Sequence, residues 1–429
     1  MSVRTLLDLY SVRKNLHLKP SELKMMQAKK LRNMIEHSYR NVPFYHAKLK
    51  NAGVKPSDVR TVEDLAKIPM TTKDEIQGLP LSELTARDVD VNACVKNKTS
   101  GSTGMPLITL VDERTLAFDR AIWLRSFFED GVHLWDKRVS ICDPRTFPKK
   151  KTWTQHLGIM RTEYVSIFDD APTQFSFLEA HNPGIIESYP SSLVILAHSC
   201  KQLEINMKPR LIFTLAELLS REDRRLISST FNAELFDYYG SSELSLMAWE
   251  CRDHAGYHMN VDALVMEFLH DGEAAVPGDR GEIVCTTLVN HAMPLIRYRV
   301  GDIGIPVQEQ CSCGITLPLM KIMEGRTDDF LVATDGRIIP PTVFFPYPFE
   351  NVEEISEFRV IQERKDFLRI QLVAKGTLPS DQVFEKVRRE IHRVFGEDMQ
   401  VNFQIVDEIE RDPRGKLRKI ISHVPAFSS

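Results

Sequence analysis

The sequence is poor in the features that would mark a membrane, secreted or nucleic-acid-binding protein. In the middle of the chain the longest uncharged apolar run, Leu193 to Ala197, is far too short to span a bilayer. Arg4, Asp8, Arg13 and Lys14 interrupt every early apolar run, so no signal peptide is expected and the protein reads as cytoplasmic. The net charge is only −4, without the clustered basic surface that nucleic acid requires. Seven cysteines are an odd count and argue for free thiols or ligands over a disulfide framework. There is no internal repeat, no low-complexity stretch, and no GK[ST] after a glycine loop, which excludes a Walker P-loop.

What is present fits a large globular enzyme. With 429 residues, 43% hydrophobic and 27% charged, the chain should form two domains or more. The first hundred residues read as helical. Leu23, Met26, Leu31, Met34 and Ile35 lie close to one stripe of a helix over Ser21 to Arg40. Thr61 with Asp64, and Thr72 with Glu75, fit capping boxes that start short helices. In the middle, 210–214, 233–238 and 281–287 read as strands and 173–180, 190–204 and 221–230 as helices. That alternation predicts an α/β core with a largely parallel sheet. Near the C-terminus, strands at 358–362, 368–373 and 399–406 surround an amphipathic helix over Ser380 to Phe395 that ends at Gly396. This predicts a separate small α+β domain, with the boundary near Gly325 to Asp329.

Five segments carry chemistry. Thr99 to Pro106 reads TSGSTGMP, and its glycines and hydroxyls can turn N–H and O–H donors toward a polyphosphate. A solvated Ser/Gly turn has the same composition. Asp237 to Glu243 reads DYYGSSE and follows a strand, where open α/β sheets bind ligands. Its aromatic ring can cover a purine and Glu243 can hold Mg²⁺. Pro294 to Asp302 ends in RYRVGD, where Asp302 can accept both hydroxyls of a ribose or, alternatively, pair with an arginine. Gly325 to Asp329 reads GRTDD at the expected boundary. Arg411 to Lys419 places Lys416 on a glycine turn, able to reach a phosphoryl group or to sit in a solvated basic tail.

In this order and spacing the five motifs resemble the adenylate-forming superfamily, most closely its phenylacetate–CoA ligase branch with the coenzyme F390 synthetase and capsule-biosynthesis-like relatives. His37 to Tyr45, Asp64 to Lys73 and Ser188 to Ser191 fit that branch too, so the resemblance covers about residues 30 to 420. It implies an adenylation domain over 1–327, built of α/β layers, and a mobile α+β lid over 328–429. It implies an AMP-forming acid–thiol ligase that uses ATP, Mg²⁺ and CoA on an aryl acid such as a phenylacetate-like substrate. Ser100, Gly101, Ser102, Thr103 and Gly104 would contact the β- and γ-phosphates. Asp237, Tyr239, Gly240, Ser241 and Ser242 would line the adenine and acyl site, and Glu243 would bind Mg²⁺. Asp302 would hold the ribose with support from Arg326, Lys416 would be the catalytic lysine, and Asp328 the hinge. The acyl pocket is expected from Trp123 to Phe128, at Tyr189, and from Ala216 to Leu219.

Cys251, His258, Cys311 and Cys313 form a candidate tetrahedral Zn²⁺ set, with His254 as a rival ligand; four unconnected loop residues would look the same in sequence. Cys94, Cys142, Cys200 and Cys285 read as small core residues. After GRTDD, Asp335-Gly336 reads as a hairpin turn in place of the branch's glycine loop, and a Pro-rich apolar insertion follows from Phe344 to Phe349. The acceptor is therefore CoA, a carrier-protein thiol or an amine, or the reaction stops at the adenylate with nothing accepted beyond AMP. A catalytically idle nucleotide- or acyl-binding relative is the rival from another class. A homodimer is left open.

Overall fold

The computed structural model describes residues 2–98, 107–148, 153–203, 205–270, 272–324, 330–339, 348–349, 352, 354–376, 378–410 and 419–424. No described helix is long and apolar enough to cross a membrane. The chain divides into two compact units, one made of Met1–Lys98, Leu107–Leu134 and Phe236–Gly325, the other of the remaining segments.

The first unit begins with helices Val3–Asn15, Pro20–Asn41 and Pro43–Asn51. Ser2 caps the first through Thr5 N–H, and Pro20 and Pro43 sit at the first turn of the other two, where a missing N–H costs nothing. The helix expected over Ser21 to Arg40 is present, with Leu23, Leu31, Met34 and Ile35 buried. Thr72 accepts from Glu75 N–H at the start of Lys73–Gln77, as its capping box predicts.

The strands of this unit follow the order Glu273–Ala274, Leu264–His270, Gly281–Thr287, Tyr298–Val307, Leu319–Glu324, Tyr257–Met259, Ser245–Glu250 and Glu234–Ser241, the last belonging here from Phe236 onward. Neighbours along this order pair antiparallel, a correction to the expectation of a largely parallel sheet. The turns joining its hairpins are too short for the helical crossovers that parallel pairing needs.

A buried polar network ties the N-terminal helix and the helix Glu113–Glu129 to this sheet. Arg125 and Asp262 are both fully buried and meet at 2.6 Å. Arg125 also donates to Asn260 Oδ1 at 2.6 Å and to the Val12 carbonyl at 3.0 Å, while Asn15 donates to Asp262 at 2.9 Å. Such a pair is neutral or costly as a whole, but removing one partner strands the other charge.

The second unit holds the parallel pairing that the alternation predicts. Its strands run in the order Leu211–Leu215, Ile185–Ser188, Arg138–Cys142, Thr162–Ser166, all parallel. Helices Ala171–His181, Pro190–Gln202 and Arg221–Phe231 match those expected, and Phe175, Leu178, Leu193 and Ile227 pack with Val139, Ile141 and Ile186 in one core. In the same unit, Ile355–Arg364, Phe367–Ala374, Gln400–Ile405 and Ile420–Ser422 form a four-stranded sheet, covered by the helix Asp381–Phe395 through Val387, Ile391 and Phe395. This is the α+β fold expected for the C-terminus. Gly396 ends the helix at φ +98°, and a Cβ there would lie 2.5 Å from Thr334 Oγ. The hairpin expected at Asp335-Gly336 is present: Leu331–Val332 pairs with Ile338–Ile339, and Gly336 takes a positive φ of 94°. Most of the Phe344 to Phe349 insertion lies outside the described residues.

Candidate active site and metal cluster

DYYGSSE and RYRVGD meet within the first unit. Tyr239 donates its hydroxyl to Asp302 Oδ2 at 2.9 Å, and Tyr298 donates to Glu243 Oε1 at 3.1 Å. Three strands separate the Tyr239 strand from the Tyr298 strand in the sheet order. In a flat sheet four strand spacings would hold them about 19 Å apart, beyond the reach of two side chains, so the sheet must curl strongly on itself. That curvature brings the two motifs into one site.

The local sequence explains the shape. Gly240 sits at a register shift against Ser245–Glu250, and a Cβ there would fall 2.3 Å from the Ser245 carbonyl oxygen. Only glycine permits so close an approach. Ser245 holds a left-handed φ of 59°, and Ser241 Oγ accepts from Leu244 N–H at 3.2 Å, closing the turn that carries Glu243. Ser242 is exposed at this turn, and Asn97 donates to its carbonyl at 3.4 Å. Asp237 is buried beneath the site. It accepts from Tyr257 Oη at 2.7 Å, and its N–H donates to Glu250.

Burial, and then the neighbouring Asp302 carboxylate, push the Tyr239 hydroxyl well above its ordinary range. Burial and Glu243 do the same to Tyr298. Both phenols therefore remain protonated donors at neutral pH. In RYRVGD, Arg297 pairs with Glu267 at 3.0 Å and donates to the Ile68 carbonyl at 2.6 Å. It thus braces the segment before Met70.

The expected acyl-pocket segments fall in both units. In the first, Trp123 and Phe127 each stand 5.6 Å from the Tyr238 ring, and Tyr238 donates to Asp130 at 2.7 Å. In the second, Ala216 has a positive φ of 68°, and Glu217 accepts from Ser191 N–H and Oγ, both at 2.8 Å, beside Tyr189. Ser100 to Gly104, Arg326, Asp328 and Lys416 lie outside the described residues.

Sequence reasoning passed over Asp119, Tyr257 and Tyr298. Burial lifts the Asp119 carboxyl to about 7, opposed in part by a hydrogen bond with Ser245. Its signal was a lone acid three or four residues from Leu116, Ile122 and Trp123, on a largely apolar helix face. Tyr298 was visible only as a letter in a motif quoted for its aspartate.

The second cluster is the cysteine–histidine set, and its four ligand atoms all lie within 4.8 Å of one another. Cys251 Sγ is 3.5 Å from Cys311 Sγ, and Cys313 Sγ is 3.4 Å from His258 Nε2. These are close to the edges of a tetrahedron with ligand bonds of about 2.0 to 2.3 Å, and far longer than a disulfide of about 2.05 Å. His258 Nδ1 lies 3.1 Å from the Leu317 carbonyl, where an Nδ1–H donates to that oxygen and leaves Nε2 to ligate. Burial is the largest cause that lowers the His258 pKa and raises those of Cys251 and Cys313, a direction that a cation would reverse for the thiols. His254, the rival ligand, instead faces Glu250 at 3.5 Å. Cys200 and Cys285 are buried as expected, whereas Cys94 and Cys142 are only partly so.

Residues 331–423 match the CapK C-terminal domain. The chain is 25% identical to phenylacetate-coenzyme A ligase of Thermus thermophilus, over 93% of this chain and 96% of that protein. It is 23% identical to Protein CapK of Staphylococcus aureus, over 94% of this chain and 90% of that protein. Its fold is similar to that of 2-hydroxyisobutyryl-CoA ligase in complex with 2-HIB-AMP and CoA. In an open conformation of that enzyme the TM-score is 0.63 at 19% identity, covering 95% of this chain and 93% of the other. In the thioesterification state it is 0.66 at 18% identity, covering 95% and 91%. The resemblance drawn from the motifs is borne out by these relatives.

Proposed function

We propose, for a chain whose relatives are phenylacetate–CoA ligases and CapK, that it is an AMP-forming acid–thiol ligase acting on an aryl carboxylic acid. The observation that carries this reading is the meeting of DYYGSSE with RYRVGD, with Glu243 and Asp302 each oriented by a tyrosine. A carboxylate oxygen attacks the α-phosphorus of ATP, the bond to the bridging oxygen breaks, and pyrophosphate leaves. The CoA sulfur then attacks the acyl carbon, loses its proton, and AMP departs.

The chemistry asks for position and charge neutralisation more than covalent help. Asp302 is suited to the ribose hydroxyls. Glu243 would hold Mg²⁺ together with substrate phosphate oxygens, because this ion takes one or two carboxylates plus phosphates. The ion would neutralise charge on the leaving pyrophosphate. Ser100 to Gly104 as the phosphate loop, Arg326 beside Asp302, Lys416 at the reacting phosphate, and Asp328 as hinge between 1–327 and a mobile 328–429 complete the reading. Cys251, His258, Cys311 and Cys313 fit a structural Zn²⁺ by donor type and spacing.

The hairpin at Asp335-Gly336 favours a second reading of the last step, in which a carrier-protein thiol or an amine accepts the acyl group. ATP–pyrophosphate exchange over a panel of carboxylic acids, followed by addition of CoA, tests both. Exchange with acyl-CoA formation supports the first reading. Exchange without CoA consumption selects the second, and no exchange with any acid defeats both.

A further inference from the structure

Tyr298 stands where a phenol has one use. Its side chain is 3% exposed, and its hydroxyl reaches Glu243 Oε1 at 3.1 Å. Among the described residues no other hydrogen bond to the Glu243 side chain is present, so Oε2 is left for another partner. Glu243 itself sits on a turn beside the exposed Ser242, where a glutamate would ordinarily sample several rotamers. A single bond from a rigid strand removes that freedom.

The strand around Tyr298 is held from several directions. Tyr298 pairs with Cys285 on one side. On the other, Thr71 N–H donates to the Arg297 carbonyl at 2.8 Å, and Arg299 N–H donates to the Thr71 carbonyl at 2.9 Å. Thr71 Oγ donates to the Ile296 carbonyl at 2.8 Å, and Ile296 N–H donates to Tyr45 Oη at 2.9 Å. Tyr45 and Thr71 are themselves buried. The ring thus projects from a backbone whose neighbours on both sides are satisfied and packed, and its hydroxyl position is fixed to the precision of the core.

We infer that Tyr298 is a positioning residue: its hydroxyl holds one oxygen of Glu243 so that the other faces the divalent cation of the bound nucleotide. The inference rests on the reading of Glu243 as the Mg²⁺ carboxylate. Outer-shell hydrogen bonds of this kind fix ligand orientation, and their removal weakens metal affinity by about 10- to 100-fold.

The test is titration calorimetry of the full chain with α,β-methylene-ATP, with and without Mg²⁺, alongside the Mg²⁺ dependence of pyrophosphate exchange. Tyr298→Phe should weaken Mg²⁺-dependent nucleotide binding by about 10-fold or more, leave Mg²⁺-free binding unchanged, and raise the half-saturating Mg²⁺ for exchange in step. Added to Glu243→Gln, it should have no further effect. Glu243→Asp keeps the charge but withdraws it from Tyr298, and should reproduce the Mg²⁺ defect even where Tyr298→Phe folds poorly. If Glu243→Gln weakens Mg²⁺-dependent binding while Tyr298→Phe and Glu243→Asp do not, the positioning role is wrong and the assignment of Glu243 stands. If Glu243→Gln has no effect either, both fall. Equal weakening with and without Mg²⁺ marks a merely structural tyrosine and overturns the inference.

Discussion

The first unit contains two clusters built on opposite principles. At the Glu243–Asp302 site each carboxylate accepts a hydrogen bond from a tyrosine hydroxyl. At the cysteine–histidine quartet four soft donors face one another within 4.8 Å. On the proposed reading, the first arrangement would be completed by a substrate and its cation, the second by a single ion. An open site spends its preorganisation on a reaction, whereas a closed one spends it on the fold.

That contrast predicts a double dissociation. The largest effect should come from emptying the quartet. Structural zinc sites in small peptides carry on the order of 10 kcal/mol of apparent binding free energy, so Cys311→Ser with Cys313→Ser should lower the unfolding temperature sharply. Elemental analysis of the parent should find about one zinc per chain, and a value below about a tenth would break the comparison at once. Exchange activity per folded molecule should change little.

Lys416→Ala should do the reverse. Loss of one preorganised charge at the reacting phosphate costs about 10²- to 10³-fold in rate. Pyrophosphate exchange should collapse while calorimetric ATP binding and the unfolding temperature stay near parental, and normal exchange would sink the assignment. Asp302→Asn should be milder. A hydrogen bond to a charged group contributes about 1.5–3 kcal/mol, so ATP affinity should fall by about 10- to 150-fold with little change in thermal stability.

The smallest effect is expected at Asp119 and is read in pH. Burial raises its carboxyl from the ordinary value to about 7 in the folded protein. Between about pH 4 and about pH 7 the folded state therefore binds more protons than the unfolded one, and stability contributed by this group falls as pH rises through that window. Asp119→Asn should flatten this part of the urea-midpoint profile. An unchanged slope would show that the group is solvated.

Much of the second unit and of the C-terminal fold was legible in the sequence. The helix ending at Gly396, the strands flanking it and the strand near 211 follow from periodicity, caps and glycine placement, whereas the strand near 185 emerges only in the structure. Gly281–Thr287 matches its expected bounds at both ends. The antiparallel strands of the first unit were less visible. Tyr298–Val307 contains two glycines and a proline, and its burial does not alternate, because the sheet is curled and one stretch meets Thr71 instead of another strand.

For the candidate site, residue types and order sufficed to name Glu243, Asp302 and the Cys/His set. Local chemistry determines such features: a glycine that tolerates φ near +90°, a threonine that caps a helix, a thiol that prefers a soft cation. Whether Tyr239 touches Asp302, whether His258 or His254 faces the cysteines, and which hydroxyl steadies Glu243 were decided only by the tertiary structure. These contacts join residues dozens of positions apart, and they depend on how far the sheet bends, which no single stretch of sequence encodes.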